Sequence, residues 1–182
     1  MIGHNKVRFC VASNQQEVLH ALSIRAIVYA EDGNVPMNLA LDGNDYCATH
    51  ALIYLDDEPI GGLRVRWFRD FAKIERTAIR KNYRDNALLL RFAEFIFDHI
   101  ARKGYDTVVT HAEPIYARLW KRKLNFKEVE GKTPAQFDGQ SQPYIELVKK
   151  LTVPANAISL NSDASVLFRP EGRWDEKSRY EA

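Results

Sequence analysis

The chain has 182 residues and a mass of 20.9 kDa, enough for one compact domain with its own core. With 46% hydrophobic and 27% charged residues, it is too apolar for intrinsic disorder and too charged for a membrane protein. No apolar signal core follows Met1 and no run approaches the roughly 18 residues that cross a bilayer, so we expect a cytoplasmic protein. Cys10 and Cys47, without a CxxC motif or a Cys/His cluster, are interpreted as reduced thiols, and no metal site is expected.

The net charge of +2 conceals blocks of opposite sign. Residues 31–58 include seven acidic residues and no Lys or Arg, whereas residues 64–91 include nine basic and three acidic residues. Residues 118–132 add six basic and two acidic residues. This separation indicates either a site that meets an anion on one side and a cation on the other, or solvated faces. A pI near 8.5 with an acidic block and no binding motif argues against a nucleic-acid partner.

The first half of the chain predicts one strand, one helix and three further strands. Asn14, with Glu17 three residues later, is typical of a helix start, so we expect a helix over residues 15–29 after a strand over residues 8–12. Residues 31–46 are rich in Gly, Asn, Asp and Pro and predict a loop with room for a short helix. Three strands joined by tight turns then predict antiparallel hairpins, with a bulge at Gly61-Gly62. These strands cover residues 49–55, 60–68 and 73–79.

The second half predicts alternating helices and strands. An apolar stripe at helical spacing indicates a helix over residues 88–102 that Gly104 ends. The β-branched run at residues 107–112 predicts a strand buried on both faces. Pro114 suits the first turn of a helix that continues to Lys123. A final strand pair is expected at residues 126–129 and 144–149.

This order predicts an α/β protein with a mixed sheet. Mostly antiparallel N-terminal strands are followed by a β-α-β-α unit and the final strand pair. We expect residues 1–150 to form this domain. Residues 151–182 are expected to form a C-terminal extension that is weakly ordered or packs on the domain, because the periodic pattern fades there.

Residues 75–89 carry the most specific motif of the chain. They read E-R-T-A-I-R-K-N-Y-R-D-N-A-L-L and align without a gap with E-R-V-A-V-x-P-x-Y-R-G-x-G-x-G. The second pattern is the fourth strand, pyrophosphate loop and third helix of the GNAT superfamily of N-acyltransferases, which this chain resembles over roughly residues 7–150. Further matching positions are Arg25, Val28, Tyr29, Glu31, Asp42, Asp45, His50, Gly61–Arg64, His111–Ala112 and Leu124–Phe126.

The resemblance implies a GNAT-like fold and an acyl-CoA site at this motif. Backbone groups of Thr77, Ala78 and Ile79 are then expected to bind the pantetheine and polarise the thioester carbonyl. The diphosphate is expected at the loop and helix start, where basic side chains and the helix N-terminus act together on an anion; a basic surface turn is the alternative. The residues implied there are Arg80, Lys81, Arg84, Asp85, Asn86, Ala87, Leu88 and Leu89. The family's loop glycines are absent, and Asp85 places a negative charge beside the expected phosphate.

Two side chains are candidates for the chemistry. Glu75 occupies a position that the family often uses as a base, and direct proton abstraction from an amine requires a pKa raised by burial or transfer through water. A salt bridge to Arg64, Arg66 or Arg76 is the alternative. Tyr116 is a candidate general acid or a core aromatic, and His50 and His111 are candidate relays or structural histidines.

The resemblance implies an N-acetyltransferase that moves an acetyl group from acetyl-CoA to a small-molecule or protein amine by direct transfer, and it is compatible with a homodimer. The region from Arg25 to His50 also resembles the acyl-homoserine-lactone and N-acyl-amino-acid synthase branch. That branch implies longer acyl chains and an acyl carrier protein docking on Arg118, Lys121, Arg122 and Lys123. A GNAT fold that binds acyl-CoA without catalysis is the third hypothesis.

Overall fold

The computed structural model describes residues 6–136 and 142–181, which build one mixed β-sheet with helices on both faces. Within the described residues the sheet has seven strands in the spatial order β1-β2-β3-β4-β5-β7-β6. Every neighbouring pair is antiparallel except β4 and β5, which are parallel. The predicted fold class is therefore confirmed. The strands are β1 Val7–Val11, β2 Thr49–Leu55, β3 Glu58–Trp67, β4 Ala72–Ile79, β5 Thr107–Ala112, β6 Lys127–Glu128 and β7 Ile145–Lys150.

Helices lie between these strands. The five α-helices in the described part of the chain are α1 Gln15–Arg25, α2 Met37–Ala40, α3 Asn86–Arg102, α4 Pro114–Leu124 and α5 Ala164–Leu167. As predicted, Asn14 caps α1 by accepting a hydrogen bond from the Glu17 N–H at 2.9 Å. The α-helix ends at Arg25, earlier than predicted, and a π-helical turn continues it over Ala26–Glu31. Short 3₁₀ helices cover Gly43–Cys47 and Lys81–Tyr83.

The two faces of the sheet pack against different helices. Alternate residues of β2 point to opposite faces: Leu52 and Tyr54 pack with Ala21 of α1, whereas Ala51 and Ile53 join a larger core. That larger core includes apolar residues of both α3 and α4, such as Phe92 and Trp120. We call the side of α1 the first face and the side of α3 and α4 the second face.

Strands β4 and β5 meet only at their first residues. Ala72 pairs with Val108 and Lys73 with Val109, and no further pairing joins the two strands. The rest of β4, up to Ile79, therefore has β3 on one side and a gap on the other. Because the strands are parallel, this gap opens at the C-terminal ends of both, near the N-termini of α3 and α4.

Strand β5 is less buried than predicted. Val108, Thr110 and Ala112 are buried, but Thr107, Val109 and His111 are only half-buried. The prediction of burial on both faces was wrong because the second face of β5 is covered by α3 and α4, while its first face looks towards the gap.

Residues 151–181, which we call the tail segment, contact the domain at several points. Trp174 is 6% exposed and stacks on His99 of α3, with ring centroids 4.8 Å apart. Arg102 and Lys103 donate to Asp175 and Glu171 at 2.7 and 2.8 Å. Within the described residues no helix has the length and apolar character needed to cross a bilayer. Both cysteines are described, and both are free thiols.

Candidate active site

The gap between β4 and β5 exposes backbone groups of β4. The Arg80 N–H donates to the Ile60 carbonyl on β3 at 2.9 Å. Because successive residues of a strand turn their N–H and C=O groups to opposite sides, Ile79 turns its backbone groups to the gap. Two hydrogen bonds agree with this orientation: Arg84 Nε donates to the Ile79 carbonyl at 3.0 Å, and the Tyr29 hydroxyl donates to the Thr77 carbonyl at 3.1 Å. Of the expected pantetheine residues, Thr77 and Ile79 thus turn backbone groups to the open edge, whereas Ala78 pairs with Gly62 of β3.

A bulge in β4 precedes this open edge. Gly62 pairs with Ala78 and Arg64 pairs with Glu75, so one residue of β3 faces two residues of β4. Arg76 is one of the two and has a φ of 57°, in the left-handed region that L-residues rarely adopt. The glycine pair predicts a bulge in β3, and β3 does have an extra residue beside this pair, Ile60, in its pairing with β2. The bulge at Arg76 is a further one and lies on β4.

The start of α3 is already capped by the chain itself. Asp85 is the N-cap, and its Oδ2 accepts a hydrogen bond from the Leu88 N–H at 2.9 Å. Of the first-turn N–H groups, those of Asn86 and Ala87 have no recorded hydrogen-bond partner. A diphosphate can therefore accept hydrogen bonds from these two N–H groups. The N–H of Leu88 already donates to the Asp85 carboxylate, whose negative charge would repel a phosphate.

The basic side chains of this loop have carboxylate partners. Arg84 donates to Asp32 at 3.0 Å, and Arg80 donates to Glu58. All four of these side chains are partly or fully exposed, so water screens both pairs and the arginines stay available to an anion. The strand edge and the helix start thus fit a pantetheine arm and a phosphate group, with Asp85 as the opposing element.

Beneath the open edge, on the first face, is a buried ion cluster formed by Arg25, Asp42, Asp45, Arg64 and Glu75. Arg25 and Arg64 are 2% and 1% exposed, and burial of this kind is tolerated only when the charges are paired. Arg64 supplies most of the contacts: it donates to Asp42 at 2.7 Å, to Asp45 at 2.8 Å and to Glu75 at 2.9 Å. Arg25 completes the cluster with a hydrogen bond to Asp45.

Glu75 is a member of this cluster and not an isolated base. Its Oε1 accepts from Arg64, and its Oε2 lies 3.0 Å from Lys73 Nζ. Burial alone would raise the pKa of Glu75, but Lys73 and Arg64 together outweigh it and hold the pKa below its usual range. The raised pKa expected of a direct base is not found.

The cluster also explains the charge blocks of the sequence. The acidic block of residues 31–58 and the basic block of residues 64–91 pair with each other across the first face and the loop. Five ion pairs of this kind join described residues. They are Asp32–Arg84, Asp42–Arg64, Asp45–Arg64, Asp42–Arg76 and Glu58–Arg80.

His50 belongs to the same buried region. It is 3% exposed, and its Nε2 lies 3.1 Å from the Asp45 carbonyl. Burial lowers its pKa, so the imidazole is neutral and donates through Nε2. This arrangement supports the structural reading of His50.

Across the gap, the C-terminal end of β5 presents a second group of polar side chains. Glu113 follows β5 directly and accepts a hydrogen bond from the Tyr144 hydroxyl at 3.1 Å. His111 faces Glu146, with Nε2 and Oε2 3.2 Å apart, and burial, followed by Lys73, lowers the pKa of His111. These residues line the first face, opposite Arg76 and Tyr29.

Tyr116 lies on the first turn of α4, at the same opening. It is 57% exposed, which excludes the core-aromatic reading. Because α4 begins directly after β5, Tyr116 lies near the C-terminal end of β5, beside the gap.

Sequence reasoning missed Tyr29, Arg76, Glu113 and Tyr144 as site residues. The helical spacing predicts that Tyr29 lies in a helix, and the family resemblance gives it only as a matching position. The positions of Glu113 and Tyr144 depend on which strands end at the gap, which only the strand order reveals. Within the described residues no group of three His, Cys, Asp or Glu side chains could hold a metal ion.

Comparisons with known proteins agree with this geometry. No family profile matches the chain. It is 25% identical over 122 residues to YjcF of Bacillus subtilis, an uncharacterized N-acetyltransferase, and the alignment covers 65% of this chain and 87% of YjcF. A solved structure from Lactobacillus plantarum, provisionally named an N-acetyltransferase, superposes with a TM-score of 0.73 at 21% identity over 81% of this chain and 100% of the other.

The chain shares the fold of solved GNAT acetyltransferases. A third similar structure is FeeM, an N-acyl amino acid synthase from uncultured soil microbes, with a TM-score of 0.65. FeeM is 10% identical, and the match covers 80% of this chain and 91% of FeeM. In this chain the parallel pair β4 and β5, the bulge at Arg76 and the start of α3 together form the candidate active site.

Proposed function

We propose that the chain is an N-acyltransferase that transfers an acetyl group from acetyl-CoA to an amine by direct attack within a ternary complex. One observation carries this proposal: the backbone edge of β4 at Thr77 and Ile79 is open beside the N-terminus of α3. An extended amide-containing arm can add to such an edge as a further strand does. The names of YjcF and of the Lactobacillus protein support the same reaction class.

The donor side is formed by β4 and α3. The N–H groups of Thr77 and Ile79 bind the arm and the acyl carbonyl, and a preorganised N–H stabilises the oxyanion that forms there. The N–H groups of Asn86 and Ala87, with Arg80 and Arg84, hold the diphosphate. When bound, acetyl-CoA supplies an acyl group activated as a thioester.

The transfer requires three proton transfers, two from the amine nitrogen and one to the thiolate. The protonated amine first loses one proton, then its nitrogen bonds to the carbonyl carbon while the carbon–sulfur bond breaks. The nitrogen gives up a second proton and the thiolate takes one, so an amide and a free thiol result. Tyr116, exposed at the gap, is the proposed donor to the thiolate.

In this proposal Glu75 is a positioning residue. Because its pKa is held below the usual range, Glu75 stays ionised and holds the side chains of Arg64 and Lys73 in place on the first face. Any proton that Glu75 removes from the amine must therefore pass through water.

The N–H of Thr77 provides a test that isolates the backbone donor. Thr77→Pro removes the N–H but Thr77→Ala keeps it. We expect the alanine variant to retain its rate and the proline variant to lose at least about 100-fold in kcat, as for removal of an oxyanion donor. Circular dichroism establishes whether each variant is folded, and thiol release from acetyl-CoA measures the rate.

A ligand measurement on the wild-type chain covers the case in which the proline variant does not fold. Millimolar CoA or acetyl-CoA should raise the melting temperature, because a ligand that binds only the folded state stabilises it. No stabilisation would contradict the proposal. Stabilisation without thiol release across a broad amine panel would favour the non-catalytic acyl-CoA-binding fold.

A second candidate function is transfer of longer acyl chains from acyl carrier protein. The observation that favours it is Asp85, whose carboxylate occupies a backbone donor that a diphosphate would use. An arm borne by a carrier protein has a single phosphodiester in place of the diphosphate. Arg118, Arg122 and Lys123 are exposed on α4 and suit an acidic partner, whereas Lys121 is paired with Glu128. The likeness to FeeM is compatible with this reading.

Donor competition distinguishes the two candidates. Equal concentrations of acetyl-CoA, a long-chain acyl-CoA and a long-chain acyl carrier protein are offered with the same amine. Carrier-dependent transfer should weaken several-fold in Arg122→Glu and remain unchanged in Lys127→Glu, a charge reversal on the edge strand β6. A preference for acetyl-CoA in wild type, Arg122→Glu and Lys127→Glu alike would exclude the second candidate.

A further inference from the structure

The first face of the gap carries opposite charges on its two walls. Arg76 belongs to β4, and Glu113 follows β5. The register of the parallel pair, with Lys73 opposite Val109, places Arg76 and Glu113 on opposite sides of the gap. The Arg76 guanidinium lies 5.9 Å from the centre of the Tyr29 ring, and Glu113 accepts from the Tyr144 hydroxyl at 3.1 Å. Each wall of the gap thus carries one charged side chain and one tyrosine.

Arg76 has unused hydrogen-bonding capacity. Its guanidinium donates once, from one terminal nitrogen to Asp42 at 3.1 Å, and lies 5.9 Å from the centre of the Tyr29 ring. It makes no second hydrogen bond to any described residue. An Arg carries five N–H donors in a planar fork that matches a carboxylate. The side chain is 28% exposed, so the remaining donors can be reached from the gap.

The surroundings of Arg76 leave positive charge in excess. The cations of this region are Arg25, Arg64, Arg66, Arg76 and Lys73, and the carboxylates that contact them are Asp42, Asp45 and Glu75. Asp42 is already shared, because Arg64 donates to both of its oxygens at 2.7 and 3.1 Å. A further anion would therefore be attracted to this region, and Arg76 is a partly exposed cation beside the gap.

Glu113 provides the complementary charge. Its Oε1 accepts from Tyr144, and no described residue donates to its Oε2. It lies half-buried at the N-cap of α4, where a negative charge is stabilised by the helix dipole. A cation beside Glu113 would be held where the amine must stand to reach an acyl group on the β4 edge.

We propose that the acceptor is a small zwitterion of the α-amino-acid class, whose carboxylate binds Arg76 and whose amine binds Glu113. This inference rests on the proposed function, and it adds the chemical class of the acceptor. The two charges of an α-amino acid are separated by only two bonds, which suits a site with opposite charges on facing walls. Tyr29 and Tyr144 supply hydroxyl groups between them.

The test compares acceptors that differ only in the carboxylate. Common L-amino acids and their carboxamides are offered with acetyl-CoA and with a long-chain acyl-CoA, and thiol release is measured. We expect amino acids to be used at least about 10-fold more efficiently, which corresponds to one charge-assisted contact. Equal use of an amino acid and its carboxamide would overturn the inference while leaving the proposed function intact.

Three variants assign the charges to residues. Arg76→Gln should raise KM for amino acids about 10–100-fold and leave KM for the carboxamides unchanged. Arg69→Gln is the control, because it removes a cation that is 94% exposed and paired with Asp70, and both KM values should stay near wild type. Glu113→Gln should weaken both acceptor classes. Unchanged amino-acid kinetics in Arg76→Gln would contradict the assignment.

Calorimetry supplies a readout that does not depend on turnover. L-amino acids are titrated into wild type and Arg76→Gln in the presence of CoA, with melting curves to confirm that both are folded. Binding that is lost in the variant supports the zwitterion site even if no acyl donor is accepted. Absence of amino-acid binding to wild type, together with turnover of carboxyl-free amines, refutes it.

Discussion

Substitutions of Asp85 can distinguish two effects at the start of α3, the helix cap and the negative charge. Its carboxylate accepts a hydrogen bond from the Leu88 N–H at 2.9 Å, and its charge lies where a diphosphate is proposed to bind. Asp85→Asn keeps the cap, because Asn and Asp are comparable N-cap residues, and removes only the charge. We therefore expect this variant to bind CoA more tightly at nearly unchanged stability.

The size of the effect follows from Coulomb's law. A carboxylate about 5 Å from a phosphate charge, at an effective dielectric constant of about 60 for this exposed loop, costs about 1 kcal/mol. Removing it should tighten CoA binding about fivefold. The melting temperature should fall by no more than about 2 °C, because only the interaction with the helix dipole is lost.

Isothermal titration of CoA into wild type, Asp85→Asn and Asp85→Ala tests this reasoning. The alanine variant loses the charge and the cap, so about 1 kcal/mol of stability should be lost with it. The gain in Asp85→Asn should shrink in high salt, which screens the repulsion. If Asp85→Asn is folded and binds CoA no more tightly at low salt, the diphosphate does not lie at this helix start.

Three further predictions concern other parts of the molecule. Arg64→Met should lower the free energy of unfolding by about 3–5 kcal/mol in urea titrations, because it strands buried carboxylates; a loss below about 1 kcal/mol would contradict the pairing. Burial would raise the pKa of Glu171, but His99 and Lys103 lower it to about 2 from a usual 4.5. The stabilisation by Glu171 is therefore full above pH 4.5 and disappears as the pH falls towards 2. Because Glu171 is partly exposed, this stabilisation is at most about 1 kcal/mol, which a comparison of wild type with Glu171→Gln across this pH range measures. Tyr116→Phe should lower kcat about 100-fold at unchanged KM for acetyl-CoA, and an unchanged kcat in steady-state assays would remove it from the chemistry.

The sequence predicted the elements because local patterns determine them. Thr49–Leu55 and Thr107–Ala112 were predicted with the bounds that the structure has, since β-branched runs end at clear turn signals. The cap at Asn14 was predicted from its spacing to Glu17. The family motif located the open strand edge at Thr77 and Ile79. All of these are properties of a few neighbouring residues.

The charged part of the site could not be predicted in the same way. The salt bridge from Glu75 to Arg64, an alternative that the sequence offers, is confirmed, but the sequence does not select it over a base. Asp42 lies 34 positions from Arg76, so only the folded sheet brings that pair together, and the motif does not contain Lys73 as a partner of Glu75. The pKa of a carboxyl depends on its charged partners, so the direction of the pKa shift of Glu75 could not be predicted from the motif.

The tail segment illustrates a related limit. Its composition suggested weak order, because few apolar residues recur at a regular period. The structure shows contacts that need no periodicity: a Cβ at Gly172 would lie 2.6 Å from the Cβ of Val11, and Trp174 stacks on His99. Single anchors of this kind leave no pattern in the sequence.

Asp42 connects the two halves of the site. Through Arg64 it belongs to the buried cluster that includes Glu75, and through Arg76 it holds the residue with the left-handed φ in β4. The bulge at Arg76 sets which backbone groups of Thr77 and Ile79 face the gap, and the same side chain offers its free donors to the acceptor. Because the Asp42 carboxylate contacts both arginines, it helps to fix the backbone of β4 at the bulge and the position of the Arg76 guanidinium. A substrate carboxylate that binds Arg76 would therefore contact a residue of the same strand that holds the acyl group.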